Sequence, residues 1–113
     1  ALLLRGRIFL EKGQFGEAET NFRQARTNNG DALDLLGSLG LSLIGQGRKA
    51  EAMDVYSHAL RMTDDEEQVR THTIEPLLDL AERRPVEGAD ELIAWLEEQL
   101  GGSPATQDSE AEE

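Results

Sequence analysis

The chain repeats itself with a period of 34 residues. The identical pairs at this offset are Leu2 and Leu36, Gly6 and Gly40, Gly13 and Gly47, Glu17 and Glu51, Ala18 and Ala52, and Ala25 and Ala59. Bulky apolar residues also coincide, since Phe22 falls on Tyr56, whereas polar positions vary. A period between about 20 and 50 residues indicates stacked structural units, so this repeat constrains the fold more strongly than any local propensity.

Each repeat has the pattern of two short helices joined by a glycine turn. We predict helices over about 2–12, 15–28, 32–44 and 48–62, with Asp31 as the N-cap of the third. Gly6 and Gly40 lie inside helices, where glycine costs about 1 kcal/mol relative to alanine. We expect them to face Ala18 and Ala52, so that the paired helices approach closely.

After residue 64 the repeat pattern weakens. Thr63 to Glu66 has the form of a capping box and predicts the start of a fifth helix. Pro76 predicts either a kink in that helix or a new helix that begins near Glu75. The small-residue motif returns only at Ala89, three residues later than the period requires, as if the fifth helix were one turn longer.

These patterns divide the chain into a helical domain, 1–100, and a tail, 101–113. The domain consists of repeats at about 1–30 and 31–64, followed by a degenerate third repeat or terminal cap at 65–100. We expect the small, polar and acidic tail to be disordered.

Composition restricts the function classes. The 113 residues include 23 acidic and 11 basic side chains, a formal net charge of −12, which argues against nucleic acid and anionic membranes as partners. No cysteine is present, and no window approaches the roughly 18 apolar residues of a membrane span. Because the chain begins at Ala1 and not at Met, we expect upstream sequence to be missing, and we expect a cytoplasmic location.

The repeated motifs resemble the tetratricopeptide repeat family. The second repeat carries Leu39-Gly40-x-x-Leu43 and Ala52-x-x-x-Tyr56, and the first carries Arg5-Gly6-x-x-Phe9 and Ala18-x-x-x-Phe22. The resemblance covers about residues 1–64, although the Trp and the closing Pro of the family pattern are absent. It implies an all-α, right-handed superhelix of about six helices in stacked antiparallel hairpins, acting as a protein-interaction scaffold.

In this family the first helix of each pair lines a concave groove that receives a peptide or a partner's helix. The resemblance places these residues in the groove: Leu3, Arg7, Leu10, Asp34, Gly37, Ser38, Leu41, Ile44, Gln68, Thr71, His72, Glu75 and Leu78. One subclass grips C-terminal carboxylates with Lys, Asn and Arg, but the matching positions here are Leu3, Arg7, Ser38, Gln68 and His72, which retain none of the expected residues. We therefore expect a floor of Gly37 and Ser38 with apolar walls, suited to an apolar segment. Leu41 and Arg7 are the predicted anchors, and a contact of Leu41 with a neighbouring repeat is the alternative.

The resulting hypothesis is a protein-binding scaffold without catalytic, cofactor or metal residues. His58 is interpreted as a solvated surface residue, and the His72 and Glu75 pair as a surface contact on one helical face. Asp64 to Glu67 lack the loop of a calcium site and are interpreted as helix capping. Two alternatives remain: a structural element that self-associates through its N-terminal repeat face, and an accessory domain of an enzyme whose catalytic part lies upstream.

The charge is unevenly distributed along the chain. Residues 1–30 contain five basic and three acidic side chains, whereas residues 65–100 contain three basic and eleven acidic ones. The basic N-terminal segment is expected to meet an acidic neighbour, such as a preceding repeat or a second chain. Nine arginines against two lysines, with many carboxylates, resemble the composition of proteins from salt-accumulating halophiles.

Overall fold

A computed structural model of the chain describes residues 2–101, and this part contains helices and no strands. The helices are α1 (Leu2–Glu11), α2 (Phe15–Asn29), α3 (Leu33–Gly45), α4 (Lys49–Met62), α5 and α6 (Ala89–Gln99). Helix α5 runs through three consecutive segments, Glu66–Val69, a π-helical turn Arg70–Ile74, and Glu75–Arg83. The predicted all-α hairpin repeat is confirmed, with bounds of the first four helices within one or two residues of those predicted. From residue 102 on, the predicted tail lies outside the described residues.

The two repeats close their internal turns in the same way. Gly13 and Gly47 adopt φ of 77° and 79°, a region in which a side chain would be strained. The amide after each glycine then bonds back to the helix: Gln14 N donates to Phe9 O at 2.9 Å, and Arg48 N donates to Leu43 O at 3.0 Å. These turns make α1 antiparallel to α2 and α3 antiparallel to α4.

The helix interiors repeat as closely as the turns. A Cβ placed on Gly6 would lie 2.5 Å from the ring of Phe22, and one placed on Gly40 would lie 2.4 Å from the ring of Tyr56. Both rings are fully buried. The glycines therefore admit an aromatic ring from the second helix of the pair. The expected contact with Ala18 and Ala52 stays a prediction.

Two predicted helix caps are wrong. Asp31 does not cap α3, whose N-cap residue is Ala32 without a side-chain hydrogen bond. Its carboxylate accepts a hydrogen bond from Arg26 Nε at 2.5 Å instead. The capping group of α5 is Asp65, which accepts from Gln68 N at 3.3 Å, while Thr63 accepts from Asp65 N. Asp31 accepts a charge-assisted hydrogen bond from Arg26 in place of the expected amide, whereas at α5 the carboxylate of Asp65 takes the capping position that was expected of Thr63.

Pro76 lies inside α5, in the first turn of the α-helical segment that begins at Glu75, and the backbone stays helical across Ile74 and Glu75, so the helix is not broken there. Proline has no amide hydrogen, so it cannot donate to the carbonyl of His72 four residues earlier. The preceding residues, Arg70–Ile74, form the π-helical turn, in which Glu75 N donates to Arg70 O. The helical backbone therefore accommodates the proline, which lacks an amide hydrogen, by widening locally into a π turn.

The six helices stack into an elongated body of 50 × 29 × 20 Å. One core runs through all three pairs and includes Phe22, Leu39, Tyr56, Leu77 and Leu96, each fully buried. Among the described residues, no helix has the length and apolar character needed to cross a membrane. This stack leaves the first helix of each pair, α1, α3 and α5, to form one side of the molecule together.

Candidate functional site

A cleft of about 280 Å³ lies where α1, α3 and α5 meet. Its lining residues are Arg7, Leu10, Glu11, Asp34, Ser38, Leu41, His72, Pro76, Asp79, Leu80 and Arg83. All three helices are the first of their pairs, which is the side on which the groove is expected. The cleft is therefore the candidate binding site.

Six of the thirteen residues that the resemblance places in the groove line this cleft: Arg7, Leu10, Asp34, Ser38, Leu41 and His72. Gln68, Thr71 and Leu78 of α5 are not among the lining residues. Leu3, Ile44 and Glu75 also lie elsewhere. Leu3 lines a separate cavity of about 430 Å³ formed with the end of α2 and the start of α3. Ile44 is 1% exposed and belongs to the core, and Glu75 is exposed outside the cleft.

The π turn explains why the predicted register of α5 is displaced. The expected groove positions after His72 are Glu75 and Leu78, whereas the cleft is lined by Pro76 and Asp79, each one residue later. A π turn contains one residue more than an α turn, so every later position rotates around the helix. Pro76 is the sequence signal for this shift, but proline inside a helix also predicts a kink or a break.

Gly37 does not form the expected floor of the groove. A Cβ placed on it would lie only 1.9 Å from the carbonyl oxygen of His72, so α3 and α5 touch backbone to backbone there. The carbonyl of Gly37 also accepts a long hydrogen bond from the buried hydroxyl of Tyr56, at 3.4 Å. This glycine joins α3 to its neighbours, and Ser38 remains beside the cleft.

The charged residues of the cleft pair with one another. Arg7 Nη2 lies 3.5 Å from Asp34 Oδ2 between α1 and α3, and Arg83 Nε lies 3.2 Å from Asp79 Oδ2 within α5. Glu11 adds a third carboxylate, so the lining has a formal charge of −1 when His72 is neutral. Arg7 is thus engaged with Asp34, which weakens its predicted role as an anchor.

The apolar part of the cleft consists of Leu10, Leu41, Pro76 and Leu80. Leu80 is almost fully buried, while Leu10 and Leu41 are partly buried and contact the core. The arrangement can hold one or two apolar side chains between these leucines, with ion pairs around them.

A second polar cluster lies outside the cleft, where Arg26, Asp31 and His58 join the two repeats. His58 Nε2 lies 2.6 Å from Asp31 Oδ2, so the histidine is ion-paired when protonated and is not merely solvated. Hydrogen bonding from Arg26 is the main cause that lowers the pKa of Asp31 below its usual value; burial acts in the opposite direction, and a weaker contribution from His58 adds to the lowering. Within residues 2–101, no group of three or more His, Asp or Glu side chains could hold a metal ion.

Comparison with known proteins adds one finding. A family model described as Tetratricopeptide repeat matches residues 3–67. No match was found among the curated proteins or among the solved structures. The matched range agrees with the two repeats derived from the 34-residue period.

Proposed function

The chain belongs to the tetratricopeptide repeat family, whose repeats generally mediate protein–protein interaction, and from this premise we propose that it binds a partner polypeptide in the cleft between α1, α3 and α5. The occupant is an apolar side chain, or two neighbouring ones, in an extended or helical segment of the partner. Leu10, Leu41 and Leu80 provide the contact surface. Leu41 is the central anchor of this proposal.

The observation that supports the proposal is the apolar centre of the cleft, contributed by three separate helices. A volume of about 280 Å³ lies just below the range of about 300–1,000 Å³ that is typical of ligand pockets. It suits an anchoring side chain better than a whole helix. Burial of one large apolar side chain contributes about 1.5–3 kcal/mol, which is the magnitude expected of an interface anchor.

The charges of the cleft favour an apolar or weakly basic segment over an acidic tail. Both arginines already pair with aspartates, and Glu11 leaves the lining with a net negative charge. An incoming carboxylate would have to displace Asp34 or Asp79 from its arginine. The existing ion pairs of the cleft therefore disfavour the binding of acidic segments.

The test compares Leu41→Glu with Leu78→Glu. Peptides are selected from a random library on the wild-type chain, and the Kd of an enriched peptide is measured by fluorescence anisotropy. We expect Leu41→Glu to weaken binding at least tenfold, because it places a carboxylate where the partner's apolar side chain is buried.

Leu78→Glu is the matched control, since Leu78 lies on α5 with 47% of its surface exposed and does not line the cleft. This variant should leave the Kd within about twofold of wild type. Circular dichroism checks that both variants remain helical. Equal binding by the two variants would contradict the proposed site.

A further inference from the structure

Helix α1 presents an apolar and basic face to solvent. Leu4 is 61% exposed and Ile8 is 47% exposed, one helical turn apart. Arg5 on α1 and Lys12 directly after it are also exposed, and neither forms an ion pair within residues 2–101. A face that combines exposed leucine and isoleucine with unpaired cations has the character of an interface.

The repeat itself shows how such a face is covered. At the 34-residue offset, Arg5 and Ile8 correspond to Leu39 and Ser42 of α3, and Lys12 corresponds to Gln46, which directly follows α3. Leu39 and Ser42 are fully buried, and α2 packs against α3. Gln46 Nε2 donates to Glu19 of α2 at 2.9 Å. Helix α1 therefore exposes positions whose counterparts are buried in α3, the helix against which the second helix of the preceding pair packs.

The chain contains a helix of matching chemistry at its other end. Helix α6 is the second helix of the last pair, and its Ala89 is buried as Ala18 is in α2. In this alignment Asp90 corresponds to Glu19, and Glu97 corresponds to Arg26. Asp90 is exposed, and Glu97, whose Oε1 accepts from Arg70 at 2.8 Å, retains its second carboxylate oxygen. Ile93 lies between them and is partly buried.

The packing of α2 on α3 can then serve as a template for packing α6 of one molecule on α1 of another. The first turns of α2 lie beside the end of α3, as the bond from Gln46 to Glu19 shows, so the two helices run antiparallel. Transfer places Asp90 opposite Lys12 and Glu97 opposite Arg5. Ile93 then lies opposite Ile8. Both outer pairs have opposite charges, and the central pair is apolar.

We propose that the α1 face of one molecule binds the α6 face of a second copy, which stacks the two molecules head to tail. The charge distribution supports this occupant, because residues 1–30 contain five basic against three acidic side chains while residues 65–100 contain three basic against eleven acidic ones. Two α1 faces would instead bring Arg5 and Lys12 of both copies together. Such a head-to-tail contact does not close on itself, so association continues with rising concentration.

Sedimentation equilibrium tests the proposal, at 0.05 M NaCl and pH 7 over a wide range of protein concentration. We expect the weight-average mass to rise with concentration. Lys12→Glu and Asp90→Lys should each weaken association about tenfold, because each replaces an attraction by a repulsion. The double variant restores an opposite pair and should return to within about threefold of wild type.

Arg61→Glu is the matched control, since it makes the same change of charge as Lys12→Glu at an exposed position of α4 and should leave association unchanged. Three results would overturn the proposal: a monomer at every concentration up to about 1 mM, association that neither single variant weakens, or a double variant that stays as weak as the single ones. A chain that stays monomeric would indicate that the α1 face binds a helix of another protein or of another segment, and not a second copy.

Discussion

At the scale of single residues, Glu19 joins the first helix pair to the second. Its Oε1 accepts hydrogen bonds from Gln46 Nε2 at 2.9 Å and Arg48 Nη1 at 2.7 Å, and its Oε2 accepts from Arg23 Nε at 2.7 Å. Burial by itself would raise the pKa of Glu19, but the bonds from Gln46, Arg23 and Arg48 together outweigh it and lower the pKa from 4.5 to about 2. The side chain is 13% exposed, so these partners largely replace water around the carboxylate.

Glu19→Gln removes this charge while keeping the shape of the side chain. We expect the free energy of unfolding at pH 7 to fall by about 1–2 kcal/mol, measured by urea denaturation. A carboxyl group with a lowered pKa stabilises the fold fully above its unfolded pKa of about 4.5 and loses this contribution as the pH falls towards 2. The difference between wild type and Glu19→Gln should therefore shrink between pH 5 and pH 3.

The control is Glu17→Gln, the same change in an exposed side chain of α2, which should shift stability by less than about 0.5 kcal/mol. A pH-independent difference for Glu19→Gln would show that its carboxylate is not held ionised by Gln46, Arg23 and Arg48.

The sequence predicts the contacts of residues inside a repeat better than the contacts of residues that join two repeats. Gly6, Ala18 and Phe22 are predictable because packing repeats with the period. The partners of Glu19 and Asp31 are not, because Arg48 and His58 lie 29 and 27 residues away along the chain and polar positions vary between repeats. Asp31 has the local signature of an N-cap, but the folded chain places two cationic or proton-donating side chains closer to it.

At the scale of the helix, the π turn of α5 determines the shape of the cleft. It rotates Pro76 and Asp79 into the lining and brings the carbonyl of His72 against Gly37. The length of α5 is predictable from the three-residue slip of the alanine motif. Its rotation is not, because a proline can be accommodated by a kink, a break or a π turn, and the choice depends on the helix packed against it.

Gly37→Ala tests this contact between α3 and α5. Alanine normally stabilises a helix interior by about 1 kcal/mol relative to glycine. Here the added Cβ would lie 1.9 Å from a backbone oxygen, so we expect a loss of about 2–3 kcal/mol in urea denaturation, because backbone must move. Gly16→Ala in α2 is the matched control, since its nearest neighbour is a flexible Gln46 oxygen at 3.9 Å. Equal stability of the two variants would contradict a close contact at Gly37.

At the scale of the whole molecule, the charge is polarised along the stack. Ion pairs such as those of Arg70 with Glu66 and Glu97 offset part of the acidity of the C-terminal half. Glu67, Glu82 and Glu98 are exposed and form no ion pair within residues 2–101. The composition therefore predicts the excess of negative charge, but only the folded structure shows which carboxylates are paired with a basic side chain.

The expected resemblance to halophile proteins leads to a prediction about the effect of salt on the stability of the chain. Its net charge of −12 at pH 7 disfavours the compact state through repulsion that salt screens, since the Debye length falls from about 10 Å at 0.1 M to about 3 Å at 1 M. We expect Tm, measured by circular dichroism at pH 7, to rise by roughly 5 °C between 0.05 and 1 M NaCl.

Salt can also raise Tm through apolar burial, so the same series at pH 4.5, near the isoelectric point, is the control. There the net charge is close to zero and repulsion contributes little, so the rise with salt should be clearly smaller. Screening of surface ion pairs acts in the opposite direction, but such pairs contribute only about 0–1 kcal/mol each and persist in part at both pH values. A Tm at pH 7 that stays constant or falls with salt would contradict the interpretation, because the unpaired carboxylates would then not be limiting stability.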